Sequence, residues 1–386
     1  MKVLYDFQTF FYQKFGGISK CFAELISHLP SDVDAVLGVK ESDNVYLKEL
    51  NLVPNLKPLH WNSEHFILPF YFKGQGKLLS ICDKFEFLNT PYVVNKKYVI
   101  ELLKKGDFDV FHPTYFDDYY LPYLGNKPFI LTIHDMIPEL FLDANHYQCR
   151  QKRLLAYKAA HIVAVSEHTK KDIMNILGIP AEKISVVYHA VNLSQIQKNA
   201  SILHIDVPLP DKYFLYVGLR YDLKCFKQYL IHVASFFQKN KDVSLICTGK
   251  PFTSQELQLI MDLHLENQVF AFFLSTEQLM YAYSKAIAFI YPSRYEGFGI
   301  PILEAFAMQC PVLLNNASCF PEIAQDAACY FDIDDERSCL QAIEYIYDQT
   351  NEERNILIGK ANERLKDFSW ELSAKKLVDI YKNVVK

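Results

Sequence analysis

Short apolar, β-favouring runs recur along almost the whole chain, and amphipathic helical patterns separate many of them. The runs are KVLYDF at the start, then 35–39, 110–113, 129–135, 161–166 and 185–189. A second series follows at 213–218, 243–249, 286–292, 311–316 and 328–332. Each ends near Gly, Pro, Asp or Ser, as strands do. One intervening helix, ISKCFAELISHL, sets Ile18, Phe22, Leu25, Ile26 and Leu29 at helical spacing. Strands that alternate with helices predict parallel sheets covered on both faces, an α/β class. The series runs through once and restarts after 192–212, a stretch with two prolines and no clear period. With 386 residues and roughly 150 per domain, two doubly wound domains are expected, at 1–195 and 208–368. An amphipathic helix, 369–386, closes the chain, with Ser369 as its N-cap.

Charge and cysteine usage narrow the chemistry. Forty basic against 45 acidic side chains give a net charge of -5, so no basic excess announces nucleic acid as a partner. The nine cysteines form no CxxC pair and lack His partners at zinc spacing, which argues for reduced thiols and no metal site. The apolar run of MKVLYDFQTF is too short for a signal peptide, and no run of about 18 apolar residues occurs. A cytoplasmic setting is expected. Neither GxGxxG nor GxxxxGK[ST] is present, so dinucleotide dehydrogenases and P-loop enzymes lose their main support.

The most informative phrase is YPSRYEGFGIPILEAFAMQCPV, 291–312. A buried strand ends in a loop with two glycines, and Pro301 opens a helix. Glu296 should hang from the loop and Glu304 from the early helix. Both would face the carboxyl edge of the sheet, where open α/β folds take ligands. Carboxylates accept hydrogen bonds from vicinal sugar hydroxyls. Gly297 and Gly299 would let backbone amides approach a phosphate or hydroxyl closely.

SRYEGFGIPILEA resembles the Glu-x7-Glu signature of the retaining, nucleotide-sugar-dependent family 4 glycosyltransferases of GT-B fold (group 1, mannosyltransferase-like). The resemblance implies two Rossmann-like domains facing across a cleft and a terminal helix, from FSW (368–370), that crosses back to the first domain. It implies that Glu296 contacts the transferred sugar, that Glu304 holds the ribose, and that Gly297, Phe298, Gly299 and Ile300 line the donor. YVGLRYDLKCF is similar to the family's loop after the first strand of the second domain. That likeness places Arg220 and Lys224 on the diphosphate, near Gly218, with Cys225 where Asn is usual. A guanidinium and an ammonium there would stabilise the departing diphosphate without a metal. QTFFYQKFGGISKCFAELI is similar to the first-strand loop, so Gly16 and Gly17 are expected on the donor. LTIHDMIPELF and FHPTYFDDYY are also family-like. They assign His134 to the donor sugar, and His112, Thr114 and Asp135 to the acceptor side. Glu322 is read as structural.

The expected function is therefore transfer of a hexose, from GDP-mannose or a similar donor, to a hydroxyl of a glycan or lipid-linked glycan in surface polysaccharide assembly. No cofactor beyond the co-substrate is implied. Two other readings use the same scaffold: a sugar-nucleotide epimerase or phosphorylase, and a non-catalytic glycan-binding subunit. On the acceptor side, 61–77 is aromatic then basic, and NKKYVIELLKKG carries Lys96, Lys97, Lys104 and Lys105 around an apolar stripe. Peripheral contact with an anionic membrane face is one reading. A solvated lysine face on a core-packed helix, capped by Gly106, is preferred.

Overall fold

A computed structural model describes residues 1–60, 74–85, 88–143, 145–192 and 209–385. Most of 61–77 and most of the linker expected at 192–212 lie outside the described residues. The chain divides into two compact units. The first comprises Met1–Val165, Lys170–Val187 and Trp370–Lys386; the second comprises Ser166–Thr169 and Tyr188–Ser369.

In the first unit β1 (Lys2–Tyr5), β2 (Asp34–Leu37) and β3 (Val110–His112) form a sheet in the order β2-β1-β3. A second sheet runs β4 (Ile130–Ile133), β5 (His161–Ala164), β6 (Ile184–Val186). All pairs are parallel, and a bridge between Phe111 and Phe129 joins β3 to the start of β4. β3 and β4 are buried at every position, as strands covered on both faces must be. The Pro91–Lys105 helix starts at a Thr90 side-chain cap and stops at Gly106, whose φ of 69° suits only glycine well.

The final helix, Trp370–Val385, belongs to this unit. Its Tyr381 hydroxyl sits 2.7 Å from the Tyr5 hydroxyl and 2.6 Å from Nδ1 of His112. The other ring nitrogen of His112, Nε2, is 2.8 Å from Oγ1 of Thr132. His112 also stacks on Tyr5 at 5.5 Å and is fully buried. Both of its nitrogens are committed inside the core, which corrects the acceptor role expected of it. Thr114 is corrected for a similar reason. It is buried, its hydroxyl donates to Asp6 (2.7 Å), and it accepts from the Thr9 amide (3.0 Å).

The second unit is a single six-stranded parallel sheet. Its strands are β7 (Tyr213–Tyr216), β8 (Ser244–Thr248), β9 (Val269–Phe272), β10 (Phe289–Tyr291), β11 (Val312–Asn315) and β12 (Cys329–Phe331). Their order is β12-β11-β10-β7-β8-β9. The Phe226–Lys239 helix covers the sheet with Phe226, Tyr229, Leu230, Val233, Phe236 and Phe237, all buried. Each such side chain contributes about 1.5–3 kcal/mol on burial. The chain moves outward from β7 through β8 and β9, then returns to β10 beside β7. The order therefore reverses between β7 and β10, and ligands of open α/β sheets bind outside the strand ends at that point.

Burial and then the neighbouring His134 hold the His112 pKa down at about 3, far below the ordinary 6.5. The native state thus keeps a neutral ring. The stability this gives is complete above the unfolded pKa of about 6.5 and is lost as pH falls from there towards 3. Histidine-resolved NMR should find the His112 ring signals unchanged from about pH 8 to about pH 5. A titration step near neutrality would contradict this burial.

Candidate active site

The loop after β7 begins at Gly218, whose φ of 122° an L-side chain rarely adopts. It is pinned by the Tyr216 hydroxyl, which donates to the Leu219 carbonyl at 2.8 Å. A short 3-10 turn, Asp222–Lys224, then delivers Lys224. The next residue, Cys225, takes φ 52° and caps the Phe226–Lys239 helix without a side-chain bond. Asparagine tolerates that left-handed conformation better than most residues, which gives a backbone reason for the expected Asn.

Lys224 reaches across to the loop after β10. Its ammonium forms an ion pair with the carboxylate of Glu296, 72 positions away. The two side chains retain only 15% and 12% of their exposure, so the pair is largely shielded from solvent. The ammonium also lies 5.6 Å from the Tyr291 ring. The Tyr291 hydroxyl is pushed well above its ordinary pKa by burial, then by the charge of Glu296 and a hydrogen bond with it. Ser318 fixes the Glu296 backbone, accepting from its amide at 3.0 Å and donating to its carbonyl at 2.7 Å.

The rest of the phrase is held from behind. The Gly297 carbonyl accepts from the hydroxyls of Ser166 (2.7 Å) and Thr169 (3.2 Å). Phe298 is buried, with the rings of His189, Phe368 and Tyr188 at 5.1, 5.8 and 6.0 Å. Gly299, at φ 93°, caps the Ile300–Ala307 helix. A Cβ there would stand a tight 3.1 Å from Ile302 and 3.3 Å from Phe320, which adds to the preference for glycine that its φ sets. Glu304 is half-buried on that helix, with its charge acting on the buried Tyr283 hydroxyl. Ile300 opens the helix and is half-buried. β7 and β10 are hydrogen-bonded neighbours, so Lys224, Glu296 and the start of the Glu304 helix all follow strand ends that flank the order reversal.

Arg220 is placed differently from the expectation. Its Nε donates to Glu256 at 2.9 Å, and its Nη2 donates to the carbonyls of Lys250 (2.6 Å) and Pro251 (3.1 Å). Its guanidinium lies 4.8 Å from the Phe252 ring. The Arg220 and Glu256 side chains are 6% and 5% exposed, so this is a buried pair and not a twin of Lys224. Burial raises the Glu256 pKa, but hydrogen bonds from Thr253 and Arg220 outweigh it and hold the carboxyl low. A phosphate would meet Arg220 through its remaining amino group, Nη1.

Sequence reasoning missed Glu256, although Thr253 and Glu256 form a capping box readable in T-S-Q-E. It also missed Arg294. That guanidinium forks onto Asp334, donates to Gln228 at 2.9 Å, and ties the β10 loop to the Phe226–Lys239 helix. No local pattern marks that contact.

The remaining residues expected on the donor and acceptor lie in the first unit. Gly16 caps the Gly17–Ser27 helix, and the Gln13 side chain already accepts from the Ser19 amide at 3.0 Å. That leaves this helix end partly capped before any ligand arrives. His134 follows β4 and packs edge-on to Phe22 at 5.8 Å. Burial, then the charge of Lys152, lowers its pKa to about 3, so it offers a neutral hydrogen bond and not a charge. Asp135 accepts from the Ile137 amide at 3.0 Å, and its carbonyl accepts from the buried Lys152 at 2.9 Å. In the second unit, Glu322 accepts from the amides of Glu167 (2.7 Å) and His168 (2.9 Å), the first two residues of the Glu167–Leu177 helix, and so caps its start.

Comparisons with known proteins bear on this geometry. The family model "Glycosyl transferases group 1" matches residues 204–364, and "Glycosyltransferase Family 4" matches residues 77–195. The chain is 31% identical over 237 residues to the O-antigen chain mannosyltransferase RfbU of Salmonella typhimurium. That match covers 58% of this chain and 62% of the relative, so it spans somewhat under two thirds of the relative's length. It is 26% identical over 285 residues to O-antigen chain mannosyltransferase B of Escherichia coli, covering 69% and 72% of the two chains. Among solved structures it resembles a glycosyltransferase of Rickettsia africae (TM-score 0.67, 19% identity, 100% and 98% covered). It also resembles Anabaena Alr3699/HepE in complex with UDP and glucose (TM-score 0.70, 15% identity, 99% and 100% covered). Those structures share its fold, an α/β architecture of two Rossmann-like units of the GT-B kind. With two family models that abut across most of its length, the chain belongs to the group 1, family 4 glycosyltransferases.

Proposed function

We propose that the chain moves a hexose from a nucleoside diphosphate sugar, GDP-mannose or a similar donor, to a hydroxyl of a glycan or lipid-linked oligosaccharide. Transfer proceeds with retention, without a divalent metal, in the assembly of a surface polysaccharide. Its setting is cytoplasmic, and a lipid-linked acceptor would be presented from the membrane face. The observation that carries this reading is the Lys224–Glu296 pair at the strand-order reversal of the second unit.

The pair suggests how the donor is gripped. An ammonium largely removed from water needs a counter-charge, and Glu296 supplies it. A diphosphate brings more negative charge than one carboxylate. On arrival it would draw Lys224 away and free Glu296 to accept hydrogen bonds from the sugar hydroxyls. As the glycosidic bond breaks, charge builds on the leaving diphosphate, where the same fixed ammonium stabilises it. Glu304 would accept from the ribose hydroxyls. Neutral His134 would give the sugar a hydrogen bond without competing for the phosphate charge. Asp135 would orient the acceptor. In this reading the leaving phosphate takes the acceptor proton, so no side chain is assigned as base. The names of the mannosyltransferase relatives support a mannose-type donor.

A thermal-shift panel of UDP-, GDP- and dTDP-sugars tests the reading, because a ligand of the native state raises its melting point. One of the three should stabilise the protein. Lys224→Ala removes a charge-assisted hydrogen bond worth about 1.5–3 kcal/mol, so donor affinity should fall about 10- to 100-fold with the fold intact. Glu304→Ala should weaken the donor by a similar factor. Wild-type affinity in both variants would refute the site. Turnover should also persist undiminished in excess EDTA; loss that magnesium restores would overturn the metal-free mechanism.

A further inference from the structure

We infer a second ligand site in the second unit, at the opposite edge of its sheet from the Lys224–Glu296 pair: a cavity that takes a small organic ammonium with an apolar body. It does not depend on the transferase reading. Every pairing from β7 through β10 and β11 to β12 is parallel, so the loops bearing Lys224 and Glu296 leave one edge of the sheet and the start of β12 lies at the other. Ala328 and Cys329, at the start of β12, line the cavity. The Glu336–Asp348 helix adds Tyr345 from its last turn, and the Asn351–Leu365 helix adds Glu353, Ile356 and Leu357. The volume is about 310 Å³, at the small end of small-molecule sites.

The polar features of the wall call for a donor or a cation. Gln349 also lines the cavity, and its Oε1 is buried with no hydrogen-bond partner among the described residues. A buried acceptor left unpaired is a cost that an arriving donor removes. Gln349 ends the Glu336–Asp348 helix in an extended conformation (φ -55°, ψ 136°), without a left-handed cap, and no basic side chain lies in the last turn. The last carbonyls of a helix are the negative end of its dipole, which favours a cation. Glu353 is charged at neutral pH, because hydrogen bonds from the Thr350 amide and hydroxyl hold its carboxyl low. Both bonds fall on Oε2, at 2.9 Å each, and leave Oε1 for an occupant. The same residues form a capping box, so the start of the Asn351–Leu365 helix is closed and makes no competing demand for an anion.

Apolar surface sets the body of the ligand. Tyr345 and Ile356 are 53% and 56% exposed. A tyrosine face covers an apolar group and also attracts an ammonium. Burial pushes the Cys329 thiol up to about 11, so it stays protonated and packs as a small apolar group. The lysine of the wall is already paired: Lys360 meets Asp326 at 3.0 Å. Asp326 follows Gln325, whose backbone (φ 48°, ψ -129°) a residue with a Cβ adopts only at a cost. The Tyr330 hydroxyl fixes that turn by donating to the Gln325 carbonyl at 2.7 Å. Asp326 thus balances Lys360, and the net charge of the wall is that of Glu353. The cavity therefore differs in kind from the site at Lys224, which is built for an anion.

Saturation-transfer NMR on the full chain tests the site with three probes of similar shape: phenethylammonium, phenethyl alcohol and phenylacetate. The ammonium should receive saturation, the alcohol less, and the carboxylate none. Glu353→Gln removes the charge and keeps the capping box, where glutamine serves as well as glutamate. That variant and Tyr345→Ala should each weaken the ammonium about threefold. Both residues are exposed, so both variants should melt close to wild type. No transfer to the ammonium, equal transfer to the alcohol or the carboxylate, or wild-type affinity in either variant would overturn the inference.

Discussion

The Lys224 ammonium is paired with the Glu296 carboxylate, and on the proposed function the donor's diphosphate would replace that partner. The surrounding backbone holds both partners of the pair in place. A left-handed Cys225 starts the helix behind the lysine, a left-handed Gly299 starts the helix behind the glutamate, and Ser318 clamps the glutamate's own peptide. Because β7 and β10 pair directly, the two loops emerge side by side although 72 positions separate the charges. Without the reversal of strand order at that pair, the loops would leave the sheet apart and the charges would not meet.

The two cations singled out in one phrase turn out to have unequal work. Lys224 faces the Glu296 carboxylate, which on the proposed function the donor's diphosphate would replace. Arg220 is sunk against Glu256, two carbonyls and an aromatic ring, where removing a partner would strand a buried charge. Its first duty is to join the β7 loop to the segment after β8. The same split appears among the histidines. His112 is locked between Tyr381 and Thr132, while His134 stands at the end of its strand with a neutral ring.

Where local pattern decides structure, the sequence was readable. Among the described residues, apolar runs located every strand but β9, whose short VFAF lies between two helices. Gly297, Gly299 and Pro301 marked the turn that carries Glu296; Gly299 takes a left-handed φ of 93°, and Pro301 sits in the first turn of the helix, where its fixed φ is suited. Contacts made across long loops left no such trace. Nothing near Asp6 or Gln8 signals the lattice they form with residues more than a hundred positions away. Likewise, nothing near His112 announces Tyr381, 269 positions on. Resemblance named His112 and Thr114 as functional, and packing shows each to be structural, because a buried polar group must find its hydrogen bonds inside.

The most direct measurement is a crystal structure of the protein with a bound nucleoside diphosphate sugar. The account predicts the Lys224 ammonium on a phosphate oxygen, Glu296 released to the sugar hydroxyls, and Glu304 on the ribose. A donor bound elsewhere, with the Lys224–Glu296 pair still closed, would contradict it.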